Sequence, residues 1–427
     1  MRTWQLLATL CATLFADAIS ASEIVVRTSA ELVASLSPAN AGQTIRVAAG
    51  EYLIDAPLQV PDRVTLRGDT AMQYDADGLP SGFEPGAAAT IKANAALAGE
   101  VITLGNGATL ERLRIESVTG NAVAIYSRGA RGPVTATIRE CEVVAPGELA
   151  VGTEGPRGGG IVMLTLAAET VAARREAGPV VTARIDRSRV HAPRSGALFV
   201  TNFATAGRIQ VDVAGSRLEG VTTVAGGTSR THAVTQATTT FRSRGNLYVQ
   251  DMAGVPAWQL VGGSGTTHPG SPTAPGASAN TLRVESANDR IEATGAAIHA
   301  SAGRRVHGMS GKASGNVLLL GLVDMTLLSG NAGADLVLQG AYADPGKATD
   351  HEFAPGDGNI LRVSMHGVRG SGPRANAFSH VAGPQETADH GSGNRLEFAG
   401  RRADFLSSNP GLSPAPEPAF FPQDRSR

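Results

Sequence analysis

The sequence predicts an all-β fold in which short strands recur along the chain and stack on one another as a solenoid. Stretches of alternating apolar and polar residues, rich in β-branched side chains, recur and end at Gly, Asn or Ser. They follow one another with too little helix between them for an alternating α/β sheet. One repeat cannot bury its own apolar face, so we expect neighbouring repeats to share a continuous aliphatic core.

The amino-acid composition is consistent with this fold and argues against one class of partner, nucleic acids. The chain has 427 residues, of which 42% are hydrophobic but only 4% aromatic, so the core is expected to consist mainly of aliphatic side chains. The 37 basic residues are balanced by 38 acidic ones, which gives a formal net charge of -1. We therefore expect no nucleic-acid partner, because bulk positive charge is what such a partner would require.

The first residues have the features of a secretory signal peptide, which we predict to span 1–22. Arg2 provides the positive start, residues 4–15 form an apolar stretch too short to span a bilayer, and small residues follow. The protein is therefore expected to be exported, to the periplasm or the cell exterior, without a transmembrane segment in the mature chain. Cys141 is the one cysteine left after cleavage, so no internal disulfide can form.

The predicted elements begin with a short capping helix over 29–36, with Thr28 or Ser29 as its N-cap. The repeats then occupy a single domain, 23–405. The Pro-containing segment 406–427 loses the alternating pattern and is predicted to be a disordered tail. We expect the protein to be a monomer.

Three segments of the central region align with one another. Each has the pattern aliphatic, two variable residues, a small residue, one variable residue, aliphatic. Cys141, Ser188 and Ser216 occupy the same small position, which predicts that the cysteine is stacked at a turn and is not a nucleophile. The aligned segments are 138–143, 185–190 and 213–218.

A second set of repeated positions lies in the C-terminal half. An Asn precedes each of four alternating strands, and Asn246 is a weaker fifth member of this set. Asn tolerates left-handed backbone, and its side chain can hydrogen-bond to an identical neighbour in the next repeat. We therefore predict a column of stacked Asn side chains. Its four members are Asn280, Asn316, Asn359 and Asn394.

The segment 24–69 has a distinctive order of elements. A short helix is followed by residues 44–52 (TIRVAAGEY), with a strand, a Gly and an aromatic residue, and then by residues 60–69 (VPDRVTLRGD). These motifs resemble the opening of pectin-lyase-like right-handed parallel β-helix proteins, and with the later repeats the similarity covers most of 24–405. The resemblance implies a single-stranded right-handed parallel β-helix with an N-terminal capping helix. It leaves the reaction open, because this superfamily includes lyases, hydrolases, epimerases and proteins without known activity.

The motifs of individual enzyme families in that superfamily are missing from the sequence. There is no Asp-Asp or Gly-His-Gly of the polygalacturonase-like hydrolases and no Asp-Pro-His-Asp of the mannuronan epimerases. Chondroitinase-B-like lyases use a Lys base, but the lysines Lys92, Lys312 and Lys347 lie outside the aligned turns.

The residues that flank the aligned turns carry the candidate site. If the three segments are successive repeats, two columns of side chains lie on one exterior face, about 4.8 Å apart from strand to strand. Arg can hold the carboxylate of an acidic sugar through paired N–H groups, and a His beside a carboxylate can take the C5 proton of a uronate. The candidate catalytic residues are Glu142, Arg189, His191, Arg217 and Glu219.

These columns leave the function open between two classes. The first is an exported protein that binds or processes a polysaccharide, preferably anionic. Its most concrete form is a uronate lyase, in which Arg189 and Arg217 hold the substrate while His191 moves the proton with Glu142 or Glu219. The second is a non-catalytic structural or adhesive surface protein, since the same columns are typical of a solvent-exposed ion-pair ladder.

Histidines in the C-terminal loops indicate a third class, a periplasmic metal-binding protein. A His lies in the loop before each Asn of the predicted column, and Asp350, Glu352 and Asp389 adjoin two of these histidines. Stacked loops could gather them into a site for a divalent metal such as calcium, zinc or copper. The histidines are His268, His307, His351 and His390.

Overall fold

The computed structural model shows an all-β protein with long parallel sheets. The predicted signal peptide 1–22 and residues 408–427 of the predicted tail lie outside the described residues, so both stay predictions. Leu406 and Ser407, which the sequence assigned to the tail, belong to the last strand. The structure describes residues 23–95, 97, 99–129, 132–147, 150–152, 155–157, 159–167, 178–229, 232–265, 276–305, 312–330, 333–343, 356–372, 376–382, 392–399 and 405–407.

The first long sheet, sheet A, contains 12 strands. Each strand pairs in parallel with the next one along the sheet. With strands numbered in chain order, its members are β1 (Ile24–Val26), β2 (Thr44–Val47), β5 (Thr65–Gly68), β10 (Ala108–Glu111), β13 (Val134–Arg139), β18 (Val180–Asp186), β20 (Arg208–Ala214), β23 (Thr238–Arg244), β27 (Thr281–Ala287), β31 (Val317–Val323), β34 (Ile360–His366) and β37 (Arg395–Ala399).

The second long sheet has 19 strands and is folded into two faces. Two long strands, β19 (Arg189–Phe203) and β21 (Arg217–Ala225), run through the corner and belong to both faces. Face B1 also contains β3 (Gly50–Ile54), β8 (Ala89–Ala93), β11 (Leu113–Glu116), β14 (Glu142–Val144), β24 (Leu247–Gln250), β28 (Arg290–Ala293), β32 (Thr326–Ser329), β35 (Val368–Gly370) and β38 (Phe405–Ser407). Face B2 also contains β4 (Leu58–Val60), β9 (Ile102–Leu104), β12 (Val123–Arg128), β17 (Ile161–Leu166), β25 (Trp258–Ser264), β29 (Ile298–Arg305), β33 (Leu336–Ala343) and β36 (Ala377–Ala382).

The remaining elements are short. Three two-residue strands form a small parallel sheet, and two hairpins are antiparallel. The small sheet contains β22 (Val234–Thr235), β26 (Ala277–Ser278) and β30 (Ala313–Ser314). One hairpin joins β6 (Gln73–Tyr74) to β7 (Pro80–Gly82), and the other joins β15 (Ala150–Gly152) to β16 (Gly155–Arg157). The described helical segments are α1 (Ser29–Ser35) and a 3-10 turn (Pro38–Asn40).

Strands of the three faces alternate along the chain. A strand of sheet A is followed by one of face B1, then by one of face B2, and the next strand of sheet A pairs beside the first, as with β18 and β20. One passage through the three faces constitutes one repeat. This order of parallel pairings is consistent with a β-helix.

The interior is lined by side chains that occupy the same register on successive strands. One column of sheet A contains Leu66, Leu110, Ile138 and Ile185, each 0% exposed. Successive side chains of a strand point to opposite sides, so these strands bury every second residue and place polar residues outside. A single cluster of buried apolar residues extends from Val26 to Leu396. The predicted shared aliphatic core is therefore present.

The predicted N-terminal helix is present as α1, which ends one residue earlier than its sequence pattern. Thr28 Oγ1 accepts a hydrogen bond from Glu31 N (3.2 Å), and Arg27 N donates to the Glu31 carboxylate (2.6 Å). These reciprocal bonds satisfy N–H groups that the first turn of a helix leaves unpaired. Leu32 is buried in the core at the N-terminal end of the sheets.

The turns from sheet A to face B1 hold the small residues that the sequence aligns. Cys141 N donates to Ser188 Oγ (3.1 Å), and Ser188 N donates to Ser216 Oγ (3.1 Å). Ser216 N donates in turn to Asn246 Oδ1 (2.8 Å), so Asn246 belongs to this stack and its assignment to the Asn column is wrong. Burial raises the pKa of the Cys141 thiol to about 12, which leaves it protonated and is consistent with the predicted structural role.

The predicted Asn column lies at the turns from face B2 to sheet A. Each Oδ1 of Asn316, Asn359 and Asn394 accepts the backbone N–H and a side-chain N–H of the preceding Asn at 2.9–3.0 Å. A Cβ on Gly263 would lie 2.3 Å from Asn316 Cγ, so only glycine fits beside this member of the column. The column thus depends on small residues in the neighbouring face.

Asp289 continues the other stack and is a buried carboxylate that has no cationic partner among the described residues. Its Oδ1 accepts from the backbone N–H of Asn246 (2.7 Å) and its Oδ2 from Ser286 Oγ (2.5 Å). Burial outweighs these hydrogen bonds and raises the pKa of Asp289 to about 6.

We expect the contribution of Asp289 to the stability to fall as the pH rises towards 6, and we expect Asp289→Asn to remove this pH-dependent component. The folded state keeps the Asp289 proton up to about pH 6, whereas an ordinary Asp loses it near 3.8. A contribution of about 3 kcal/mol, present at low pH, is therefore lost as the pH rises through this window. Urea unfolding of both proteins at several pH values measures the difference, and a difference that does not change with pH would contradict the prediction.

Candidate functional site

The five candidate residues come together on the outer side of face B1. Glu142 of β14 lies beside Arg189 of β19, which lies beside Arg217 of β21. Two residues further along the same strands, His191 lies beside Glu219. The parallel register of three adjacent strands therefore aligns the residues that the sequence placed in two columns.

Glu142 is the first carboxylate of the site and is enclosed by arginines. Its Oε2 accepts from Arg114 Nη1 (2.7 Å) and its Oε1 from Arg189 Nη1 (3.3 Å). Arg114, on the preceding strand β11, also binds Glu116 through Nε (2.5 Å). Glu142 is only 3% exposed, so its charge depends on these guanidinium groups for compensation.

Glu219 is the second carboxylate. It accepts from Arg217 Nε (2.6 Å) and Arg189 Nη2 (3.1 Å), and its Oε2 is hydrogen-bonded to His191 Nδ1. Burial alone would raise the pKa of Glu219. The hydrogen bond from His191 and the two neighbouring guanidinium groups outweigh burial and lower the pKa of Glu219 to about 2. Glu219 is therefore ionised at neutral pH.

His191 is the most accessible of the five, with a side chain that is 39% exposed. An ionised carboxylate can only accept, so Nδ1 carries the hydrogen of the bond to Glu219. In the neutral imidazole this leaves Nε2 with a free lone pair. The carboxylate thus fixes both the orientation and the tautomer of a histidine that reaches solvent.

These contacts form one network, which we call the charged ladder. Its three arginines and three glutamates alternate across four strands, so the fixed charges balance, and Arg189 joins the two ends by contacting both Glu142 and Glu219. The charged ladder consists of Arg114, Glu116, Glu142, Arg189, His191, Arg217 and Glu219.

A long loop, residues 70–88 between β5 and β8, lies over the charged ladder, and we call it the arm. It contains the hairpin β6–β7. The carbonyl of Ser81 accepts from Arg189 Nη1 (2.8 Å), Phe83 N approaches Glu142 Oε2 (3.5 Å), and Asp75 Oδ2 lies 3.7 Å from Arg217 Nη1. The predicted exterior face is therefore covered in part, which explains why its carboxylates are buried.

Gly82 allows this close approach of the arm. Its φ is +119°, a conformation that side chains rarely adopt, and a Cβ would lie 2.9 Å from Glu142 Oε1. A larger residue would push the arm away from the charged ladder.

Two parts of the site were not anticipated from the sequence. Arg114 and Glu116 follow the pattern of the aligned segments, but Leu113 stands where the others have Cys or Ser. Relaxing the small-residue requirement would have found them. The arm carries no repeat pattern, and its position over strands far along the chain had no signal in the sequence.

The four loop histidines proposed for a metal, His268, His307, His351 and His390, lie outside the described residues, as do Asp350, Glu352 and Asp389. The metal hypothesis therefore stays a prediction. In the part of the chain that the structure describes, no group of three or more His, Cys, Asp or Glu side chains is placed to hold a metal ion.

No helix within the described ranges is long and apolar enough to cross a bilayer.

The fold and the site define an all-β protein of long parallel sheets with a charged, partly covered outer face. Comparison with known proteins found no matching family model and no curated protein with significant sequence similarity.

Proposed function

We propose that the protein is an exported right-handed β-helix of the pectin-lyase-like type that binds and cleaves an anionic polysaccharide as a uronate lyase. The long parallel sheets and the opening motifs support this fold, and parallel strands joined through a crossover are nearly always connected with right-handed geometry. The His191–Glu219 pair is the single observation that carries the proposed reaction.

Elimination at a uronate needs a base for the C5 proton and compensation of the sugar carboxylate. Nε2 of His191 takes the proton, the C5–H electrons form the C4–C5 double bond, and the C4–O bond breaks. The departing oxygen takes up a proton from solvent water and leaves as an alcohol, and the imidazolium later returns its proton to the solvent. Glu219 stays ionised and stabilises the imidazolium that forms.

In this proposal Arg217 neutralises the substrate carboxylate. Its Nε is held by Glu219, and its Nη1 faces the arm, where the nearest carboxylate is 3.7 Å away. Arg189 is instead held between two carboxylates and the Ser81 carbonyl, so we assign it a positioning role. Glu142 contacts Arg189, whereas Glu219 contacts His191, so Glu219 is the carboxylate that orients the histidine and stabilises its imidazolium.

The test is a panel of polysaccharides, with polygalacturonate, alginate and chondroitin sulfate as acidic members and a neutral glucan as the control, each with and without calcium. A lyase produces an unsaturated sugar whose ultraviolet absorbance rises with time. Absence of this signal on all acidic members would overturn the proposal.

Arg217→Ala is expected to raise KM about tenfold or more, because a charge-assisted contact to the substrate is lost. The matched control is Arg290→Ala. Arg290 lies in the same column two strands further along and pairs with Glu292 of its own strand (2.6 Å). Equal effects of the two substitutions would exclude a specific role for Arg217.

A non-catalytic structural or adhesive protein is the second candidate, and the balanced charges of the ladder favour it. Every arginine of the charged ladder already has a glutamate partner, as in an ion-pair network that only holds neighbouring strands. This candidate predicts binding to a surface or glycan without any unsaturated product.

A further inference from the structure

We propose that the arm is an autoinhibitory strap in which Asp75 occupies the place beside Arg217 that the carboxylate of an anionic ligand takes. The inference rests on the proposed function for the choice of ligand. In this inference the Asp75 carboxylate competes with the ligand for Arg217, so the arm must be displaced before the ligand can bind.

The contact between Asp75 and Arg217 is loose compared with the rest of the charged ladder. The two side chains are 3.7 Å apart, whereas Arg217 Nε and Glu219 Oε1 are 2.6 Å apart. Both partners are about 30% exposed, so solvent and ions reach the pair. Such a pair contributes little to stability and exchanges readily for another carboxylate.

The geometry of Asp75 separates its two oxygens by role. Oδ1 accepts from the backbone N–H groups of Asp77 (3.0 Å) and Leu79 (2.9 Å) and so fixes the turn at the tip of the arm. Oδ2 points to Arg217. The turn therefore fixes the orientation in which Asp75 presents Oδ2 to the Arg217 guanidinium.

The two ends of the arm, its foot (Met72, Phe83 and Ala88) and its tip (residues 75–79), are held by different contacts. Met72, Phe83 and Ala88 form a small buried apolar cluster at the foot, and Thr70 Oγ1 donates to the Ala87 carbonyl (2.5 Å). Among the described residues, the ion pair with Arg217 is the contact that joins the tip segment 75–79 to the charged ladder. Movement of the tip breaks this partly exposed ion pair, while the Ser81 carbonyl keeps its hydrogen bond to Arg189 and the foot stays in place.

The released site suits a carboxylate or another small anionic group. Moving the tip frees Arg217 Nη1 and removes one negative charge from beside this guanidinium. An acidic sugar then meets a guanidinium that is already oriented by Glu219.

Asp75→Asn is the decisive variant. An amide Oδ1 keeps both turn hydrogen bonds, so the arm keeps its shape and loses only the charge that faces Arg217. Asp77→Asn is the matched control. Asp77 is exposed on the same turn and does not face the charged ladder, so this substitution removes the same charge at a different place.

Two readouts report the release of Arg217 in the full-length protein. The first is the rate at which phenylglyoxal, an arginine-selective dicarbonyl, modifies Arg217, measured by peptide mass spectrometry. The second is the affinity for hexagalacturonate by titration calorimetry. We expect Asp75→Asn to increase both about fivefold and Asp77→Asn to leave both unchanged.

The modification rate does not depend on a sugar ligand, so the two proposals can fail separately. If Arg217 is modified faster in Asp75→Asn but no polysaccharide is cleaved, the autoinhibitory role of the arm is supported and the proposed lyase activity is contradicted. Equal modification rates and equal affinities in Asp75→Asn and Asp77→Asn overturn the strap, whatever the enzymatic activity.

Discussion

Asn316→Ala is expected to lower the free energy of unfolding by about 4 kcal/mol, since it leaves several buried polar groups unpaired. Asn316 is 0% exposed. Its Oδ1 is the acceptor for the backbone and side-chain N–H groups of Asn280, and its Nδ2 donates to the Ala277 carbonyl (3.1 Å). Each buried group that loses its partner costs about 1–3 kcal/mol.

The loss cannot be repaired by local repacking. Gly263 packs directly against the Asn316 side chain, and the backbones of neighbouring repeats are fixed by their sheet hydrogen bonds. The alanine therefore leaves a small polar cavity between repeats. We expect the effect to spread to both neighbours, because each member of the column orders the one before it.

Urea unfolding followed by Trp258 fluorescence measures this effect, because Trp258 is buried in the same region and Trp4 lies in the predicted signal peptide. Asn40→Ala is the matched control. Within the described ranges the Asn40 side chain makes one hydrogen bond, partly buried, to the Ser35 carbonyl (2.7 Å), so its loss should cost about 1 kcal/mol. A loss at Asn316 no larger than that at Asn40 would show that the column does not hold the repeats together.

The Asn column and the Cys/Ser stack show why the repeat pattern was readable in the sequence. A residue at a stacked turn must satisfy the backbone N–H of its neighbour, so small polar residues recur at fixed distances from the aliphatic positions. Asn246 was assigned to the wrong stack by the same reasoning. Both kinds of turn accept an Asn and precede an alternating strand, so residue type alone does not tell which turn an Asn occupies.

The candidate site was predictable where it follows the repeats and unpredictable where it does not. The register that aligns Cys141 with Ser188 also places Glu142 beside Arg189, so the columns follow from the pattern. The position of Asp75 beside Arg217 depends on how a non-repeating loop lies across several strands. Tertiary contact sets this position, and alternation of apolar residues carries no information about it.

His191→Ala is expected to lower kcat of the proposed lyase by at least about 100-fold, which is the lower end of what general acid–base catalysis supplies. The substitution removes the only imidazole of the charged ladder, whose side chain is 39% exposed and which is the base of the proposed reaction. Glu219 does not replace it, because the guanidinium groups of Arg189 and Arg217 stay beside it in the variant and continue to lower its pKa, which keeps this carboxylate a weak base.

The measurement compares kcat and KM of His191→Ala with those of His366→Ala, whose side chain is exposed on sheet A, away from the charged ladder. KM should change little in both variants, because Arg217 is intact. Added imidazole should restore part of the activity of His191→Ala, since a base in solution can enter the space left by the side chain. Full activity of His191→Ala would assign the histidine to the ion-pair network alone and would leave the charged ladder as a structural feature of face B1.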